Sequence, residues 1–148
     1  MTNHAQKALS LFEQGHNCAQ AVFTAFCDIT NLDESTALKI SSSFGGGIGG
    51  MKEMCGAITG MAMALGLLAG YTNKGNTVEK KEHTALVNEK IHAFTGRFHS
   101  FQCRDLLDAI NTGDNDIEKR MQGINATRPC SVFVHDAAEM VDEWLKQQ

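Results

Sequence analysis

The segment from Met54 to Asn73 contains no charged residue, and Met54–Tyr71 is largely apolar. Its length approaches the ~20 residues that a bilayer-spanning helix requires. It nevertheless contains four glycines and several alanines, and leucine and isoleucine are scarce. A helix that is apolar on every side must be buried, and small residues allow neighbouring helices to pack closely. We therefore expect a buried central helix here, rather than a membrane span, with the rest of the chain folded around it.

The remaining sequence predicts an all-α fold, a single compact domain over residues 1–148 with about six or seven helices. The chain has one proline, its apolar residues recur at helical spacing, and no alternating strand pattern is found. We expect Asn17 and Asp33 to cap helices, and Asn76 with Glu79 to form a capping box. The predicted helices are 3–14, 17–29, 33–43, 54–69, 76–97, 103–110 and 129–146, with a further turn of helix near 117–122.

Four of the five cysteines fall where a predicted helix begins. Cys18 follows Asn17, Cys55 follows a glycine run, Cys130 follows Pro129, and Cys103 opens a short helix. A helix N-terminus carries unsatisfied N–H groups and partial positive charge, which favour a thiolate over a thiol. Cys27 is predicted instead near a helix C-terminus, where the dipole acts in the opposite sense, so we interpret it as a buried or incidental thiol.

These four cysteines also have a basic residue within three positions, namely His16, Lys52, Arg104 and Arg128. A nearby cation lowers the pKa of a thiol. The helix terminus alone supplies about 0.3–1 kcal/mol, which is less than one pKa unit. Activation of a thiol therefore requires a positioned partner as well as the dipole.

The spacing of the cysteines excludes several familiar sites. Successive cysteines are 9, 28, 48 and 27 residues apart, so the chain has no Cys-x-x-Cys. Zinc ribbons, thioredoxin-type loops and ferredoxin-type cluster loops depend on that short spacing. A site built from separate helices remains, either as two dithiol pairs or as a four-thiolate cage for zinc, another metal ion or an iron–sulfur cluster. A third alternative is a structural or interaction module with buried thiols.

The segment FGGGIGGMKEMCGAITG (Phe44–Gly60) and the upstream GHNCAQA (Gly15–Ala21) resemble the family titled "Putative redox-active protein (C_GCAxxG_C_C)". The later Cys103 and Cys130 complete this pattern, which spans nearly the whole chain. The resemblance implies a helical protein whose shared cysteines correspond to Cys18, Cys55, Cys103 and Cys130, with Cys27 as an extra thiol. The family also resembles a cysteine-bearing region of some multihaem cytochromes, which keeps the iron–sulfur alternative open.

The glycine run that includes Gly45, Gly46 and Gly47 has two interpretations. The first is a loop that crosses close to another backbone. The second is a nest of main-chain N–H groups that, together with the following helix N-terminus, holds an anion or the Cys55 sulfur. A dinucleotide fingerprint is not expected, because that motif needs a preceding strand and the predicted element there is a helix.

Other features bound the function. Glu13–His16 and Glu89–His92 have the Glu-x-x-His spacing of di-iron bundles, but supporting carboxylates on other helices are not evident. The net charge of −4, without a basic stripe, gives no reason to expect nucleic-acid binding. We expect a cytoplasmic protein without membrane association, with a redox partner or small-molecule substrate, and with a homo-oligomer as one possibility raised by the methionines.

Our leading interpretation from sequence is a redox protein whose Cys18, Cys55, Cys103 and Cys130 cycle between thiol and disulfide. Cys55 is the expected attacking thiolate, because it has both the glycine loop and a helix terminus. Cys18 or Cys130 is the expected resolving thiol.

Overall fold

A computed structural model describes residues 2–148, and its regular secondary structure consists of α-helices joined by loops. That part of the chain contains nine helices and no strand, with one isolated bridge between Met54 and Gln102. The all-α prediction is confirmed, although the number of helices exceeds the expected six or seven. The helices are α1 (His4–Glu13), α2 (Cys18–Ala25), α3 (Cys27–Thr30), α4 (Glu34–Ser42), α5 (Gly56–Ala69), α6 (Val78–Phe98), α7 (Cys103–Asn111), α8 (Asn115–Gly123) and α9 (Cys130–Lys146).

Two of the three predicted caps are confirmed. The Asn17 side chain accepts a hydrogen bond from Gln20 N at 2.9 Å, and Asp33 accepts one from Thr36 N at 2.9 Å. The prediction for Asn76 was wrong. Thr77 caps α6 instead, because its backbone is extended and its hydroxyl accepts from Lys80 N at 3.2 Å.

The second predicted helix is interrupted at Phe26, which the periodicity of apolar residues did not reveal. Phe26 has φ −97° and ψ 8°, outside the helical region, and α3 begins at the next residue. Cys27 therefore opens a four-residue helix rather than lying near the end of a long one. Asn31, in the left-handed region with φ 62°, ends α3.

Helix α2 lies among several of the other helices and packs against α1, α4, α5 and α9. The uncharged helix α5 packs on α2 and α9, and its residues from Gly56 to Met61 are buried. Its C-terminal part is more exposed than predicted, with Leu67 49% exposed. Within residues 2–148, no helix has both the length and the apolar character needed to span a bilayer.

Buried ionic groups fix helix α9, which carries one of the four cysteines at its start. Asp136 is fully buried and accepts from Arg97 Nη1 at 3.1 Å, Arg120 Nη2 at 2.6 Å and His135 Nδ1 at 2.9 Å. These contacts join α9 to α6 and α8. A buried carboxylate requires such partners, because removing them would leave an uncompensated charge in the interior.

Helices α5 and α2 approach so closely that glycine is needed at their contact. A Cβ atom on Gly60 would lie 2.8 Å from Ala19 O and 3.0 Å from Val22 Cβ. A Cβ atom on Gly56 would lie 3.0 Å from Ala19 N and 3.1 Å from Cys18 Cβ. The absence of side chains at these two positions therefore sets the distance between the N-termini of the two helices.

Substituting Gly60 with alanine should lower the free energy of unfolding by about 1–3 kcal/mol, because the backbone of α2 must move away. The matched control is Gly66→Ala, also in α5, where a Cβ atom would meet nothing within 4 Å. That control should raise stability by about 0.5–1 kcal/mol, the usual gain when alanine replaces a helical glycine. Urea unfolding of both variants measures the difference, and equal stability would contradict the close contact.

Candidate functional site

Four helices begin at one location, and each carries a cysteine at its start. Cys18, Cys103 and Cys130 are the first residues of α2, α7 and α9, and Cys55 is the N-cap residue of α5. The predicted position of these cysteines at helix N-termini is confirmed. The partial positive charges of the four helix ends therefore converge on the same region.

All four of these cysteines line a single cavity of about 330 Å³. Cys55 is buried, and the other three are half-buried. The cavity wall combines these sulfurs with basic, small and apolar residues, which are Phe12, Gly15, His16, Asn17, Gly46, Gly47, Lys52, Gly56, Leu106, Leu107, Arg128 and Phe133.

The glycine loop between α4 and α5 turns through consecutive left-handed residues. Gly46, Gly47, Ile48, Gly49 and Gly50 all have positive φ, between 57° and 74°. L-residues rarely adopt this conformation, so a run of this length depends on glycine. The loop returns on itself through hydrogen bonds between main-chain groups of its two ends.

The end of this loop pairs with the segment before α7 and so brings Cys55 and Cys103 together. Cys103 N donates to Glu53 O at 2.6 Å, and Cys55 N donates to Phe101 O at 2.9 Å. These bonds flank the bridge between Met54 and Gln102. Two cysteines separated by 48 residues in sequence are thereby fixed by a short stretch of main-chain pairing.

Close approach to neighbouring groups explains two of the loop glycines. A Cβ atom on Gly45 would lie 2.5 Å from Asn17 Nδ2, and one on Gly47 would lie 2.7 Å from Cys103 Cβ. A Cβ atom on Gly47 would also lie 2.6 Å from Glu53 N, so the loop crosses close to other backbone, as the first interpretation expected. Gly46 and Gly47 also line the cavity, whereas Gly45 packs against the cap of α2. An anion or thiolate nest at Gly45–Gly47 stays a hypothesis.

Cys18 and Cys130 line the same cavity at the starts of α2 and α9, and their pKa values shift in opposite directions. Interaction with the Cys18 side chain lowers the pKa of Cys130, and the charges of Arg128 and Lys52 lower it further, against the effect of burial. The same interaction, together with burial, raises the pKa of Cys18 well above its ordinary value. Of the two, Cys18 therefore favours the protonated form and Cys130 favours the thiolate.

Cys55 and Cys103 are held in the thiol form. Burial raises the pKa of Cys55 to about 12, although the N–H groups of Ala57 and Ile58 at the start of α5 oppose this shift. Burial also raises the pKa of Cys103, while Lys52 opposes it. The helix terminus thus acts on Cys55 as expected, but desolvation is the larger effect. This ordering does not favour Cys55 as the attacking thiolate.

Three of the four basic neighbours of the cysteines line the cavity. These are His16, Lys52 and Arg128. Arg104 does not, because its Nη2 donates to Glu53 Oε1 at 2.7 Å on the surface. Leu106 and Phe133 also line the cavity, and neither was predicted as a site residue from sequence. Leu106 follows Cys103 by three positions in α7, and Phe133 follows Cys130 by three positions in α9. In a helix, that spacing places each apolar side chain on the same face as its cysteine.

The four cavity thiols are not arranged as the ligands of a metal centre. Within residues 2–148, no three His, Cys, Asp or Glu side chains are arranged to hold one metal ion. The four cysteines line a cavity, whereas tetrahedral zinc requires four ligands around one point, with each sulfur about 2.3 Å from the metal. The thiols of the described residues therefore do not fit a preformed metal centre.

The remaining candidates from sequence lie apart from this cavity. Cys27 is not among its lining residues, and burial raises the pKa of its thiol, with Glu34 adding to the shift. Glu89 and His92 are exposed on α6. Glu13 accepts a hydrogen bond from Thr127 N at 3.3 Å, so its carboxylate already has a structural partner.

The family model "Putative redox-active protein (C_GCAxxG_C_C)" matches residues 16–144 of the chain. The chain belongs to this family. It is also 27% identical over 146 residues to an uncharacterized protein of Archaeoglobus fulgidus, covering 97% of this chain and 93% of that protein. No solved structure matches the chain significantly. The family name supports redox activity in general, and the choice of reaction rests on the cavity.

Substituting Gly47 with alanine should displace Cys103. The steric contact should lower the free energy of unfolding by about 1–3 kcal/mol, in addition to the loss caused by backbone strain at positive φ. The added Cβ atom would lie 2.6 Å from Glu53 N as well as 2.7 Å from Cys103 Cβ. Gly49→Ala is the matched control, because Gly49 also has positive φ but a Cβ there meets nothing within 4 Å. The measurements are urea unfolding and the alkylation rate of Cys103, and identical behaviour of the two variants would contradict the packing.

Substituting Cys18 with alanine should raise the pKa of Cys130, because the thiolate loses its hydrogen-bond donor. Alkylation requires the thiolate, so its rate at Cys130 rises with pH through that pKa. At neutral pH the rate should fall several-fold in Cys18→Ala. The rate should fall less in Cys18→Ser, because the serine hydroxyl can still donate a hydrogen bond. Mass spectrometry of the Cys130 peptide measures both, and an unchanged pH profile in Cys18→Ala would refute the pairing.

Proposed function

We propose that this protein is a thiol–disulfide redox protein in which Cys130 is the attacking thiolate and Cys18 is the resolving thiol. The placement of these two cysteines at the starts of α2 and α9 in one cavity carries the proposal, and their opposite pKa shifts support it. The pair combines a lowered pKa at one cysteine with a protonated thiol within reach, the arrangement that a two-cysteine exchange reaction uses. In this proposal Cys130 replaces Cys55 in the role expected from sequence.

The proposed reaction has two steps. The Cys130 thiolate attacks one sulfur of a disulfide, the sulfur–sulfur bond breaks, and a thiolate leaves. Cys18 then gives up its proton to the leaving thiolate and attacks the Cys130 sulfur of the mixed disulfide. This step forms the Cys18–Cys130 disulfide and releases the second half of the substrate as a thiolate. Two cysteines are oxidised by two electrons, and one disulfide is reduced to one thiol and one thiolate.

Cys55 and Cys103 are the second proposed pair. The pairing of the glycine loop with the segment before α7 fixes them near each other, and both are thiols at neutral pH because burial raises the pKa of each. In the proposal they receive oxidising equivalents from the first pair by a further exchange reaction, which moves the Cys18–Cys130 disulfide to Cys55 and Cys103. Reaction of the regenerated Cys18–Cys130 pair with a second molecule of disulfide would then leave two disulfides within one cavity.

Treatment of the reduced protein with one equivalent of diamide should produce mainly a disulfide between Cys18 and Cys130. Peptide mapping by mass spectrometry identifies the bond. Cys27→Ser is the matched control and should give the same product, because Cys27 is not a cavity residue. Cys130→Ser should leave Cys18 reduced under the same conditions.

Two results would overturn the proposal. One is a dominant disulfide that excludes Cys130 while Cys130 stays reduced. The other is stoichiometric iron or zinc in protein purified without oxygen, with all four cavity thiols protected from alkylation. The second result would support the metal or iron–sulfur alternative, in which the same four thiolates serve as ligands. If every cavity thiol reacted more slowly than free cysteine and no metal were present, the cavity thiols would be structural.

A further inference from the structure

The cavity at the four cysteines is small compared with the sites that enzymes use for larger substrates. Its volume of about 330 Å³ lies at the low end of the range of about 300–1,000 Å³ that is usual for ligand pockets. Phe12, Leu106 and Phe133 contribute apolar surface to its wall. These dimensions suit a small molecule rather than a disulfide within a folded protein.

The side chains that line the cavity include basic residues but no acidic residue. The chain contains 17 acidic residues and has a net charge of −4, yet no Asp or Glu lines the cavity. Its lining includes Lys52, Arg128 and His16. Four helix N-termini add their partial positive charges to the same space. A cavity lined by a single sign of charge raises the local concentration of ligands of the opposite sign.

Arg128 is also the arginine whose charge has no carboxylate partner within the described residues 2–148. Arg97 and Arg120 pair with Asp136, and Arg104 pairs with Glu53. Arg128 instead donates Nη1 to Phe12 O at 3.1 Å and stacks over the Phe12 ring at 4.0 Å. These contacts fix the guanidinium at the cavity wall and leave its remaining N–H groups available to a ligand.

From these observations we propose that the cavity binds a small disulfide carrying negative charge, with Lys52 and Arg128 as its anion-binding residues. This inference rests on the proposed function, because the bound disulfide is the oxidant of Cys130. The Cys130 thiolate attacks one sulfur of the substrate, and one half leaves as an anionic thiolate. Cys18 then displaces the other half by forming the Cys18–Cys130 disulfide, and its proton passes to a leaving thiolate. The apolar wall accommodates the carbon chain of the substrate, and the two cations hold its charged ends.

The experiment compares three disulfides of similar size and different charge. These are dithiodiglycolate, which is a dianion, bis(2-hydroxyethyl) disulfide, which is neutral, and cystamine, which is a dication. The rate of Cys18–Cys130 oxidation by each is divided by the rate at which free 2-mercaptoethanol reacts with the same disulfide, so differences in leaving group cancel. At low salt the normalised rate for the dianion should exceed that for the dication by at least about tenfold, and high salt should reduce this ratio.

Variants separate the binding of charge from the activation of the thiol. Lys52→Gln and Arg128→Gln should each lower the ratio of the dianion rate to the neutral rate several-fold. Because both disulfides meet the same Cys130, a change in its pKa affects both rates and leaves this ratio unaltered. Lys39→Gln, an equal change of charge on the exposed surface of α4, should keep the wild-type ratio.

The outcomes distinguish this inference from the proposed function. Equal normalised rates for the three disulfides in the wild-type protein would overturn the charge selectivity and leave the Cys18–Cys130 reaction intact. The same conclusion would follow if Lys52→Gln and Arg128→Gln both kept the wild-type ratio. Failure of Cys130 to react with any of the three disulfides would instead remove the proposed function, and this inference with it.

Discussion

The contact between α5 and α2 determines where three of the four cysteines of the cavity lie. Gly56 and Gly60 bring the backbone of α5 to within van der Waals distance of Ala19 and its neighbours, so the first turns of the two helices lie side by side. Cys18 and Cys55, the residues that start these helices, are neighbours for the same reason. The glycine loop can then reach from α4 to α5 only by a tight turn, which its left-handed residues provide. The end of this loop supplies the main-chain carbonyl group of Glu53, which accepts a hydrogen bond from Cys103 N and so positions Cys103.

Bringing four helix N-termini together concentrates positive charge, and the cavity has no carboxylate to offset it. Among the four cavity thiols, Cys130 is the one whose pKa is lowered, because the interaction with Cys18 and the charges of Arg128 and Lys52 outweigh its burial. In the proposed function, ionisation of this one sulfur balances part of the positive charge. Cys55 is also at a helix N-terminus, but burial outweighs that contribution. A helix terminus provides less than one pKa unit, so burial and hydrogen bonding decide which of four similarly placed thiols ionises.

Local sequence signals predicted the helical class and the position of the four cysteines, but not their order of reactivity. Cap residues such as Asn17 and Asp33 act through hydrogen bonds to residues three positions away, so they can be recognised without tertiary information. Burial of Cys55 and its proximity to Phe101 depend on segments separated by more than forty residues. The break at Phe26 and the shift of the α6 cap from Asn76 to Thr77 likewise depend on backbone conformations that the apolar pattern does not encode. Sequence therefore identified which residues belong together, while the packing determined what each can do.

In the proposed reaction, the charges of the sulfurs also determine the order of the two steps. The negative charge of a Cys130 thiolate raises the pKa of Cys18, Cys55 and Cys103, so the reduced cavity favours a single thiolate. Formation of the proposed Cys18–Cys130 disulfide removes that charge. The pKa of Cys103 then falls, although burial still raises it, because the effect of Cys130 disappears while Lys52 still lowers it. Cys103 is the less buried member of the second pair, so in this proposal it is the nucleophile that attacks the new disulfide. Oxidation of the first pair would thus favour reaction of the second, with Lys52 lowering the pKa of a cysteine in each pair.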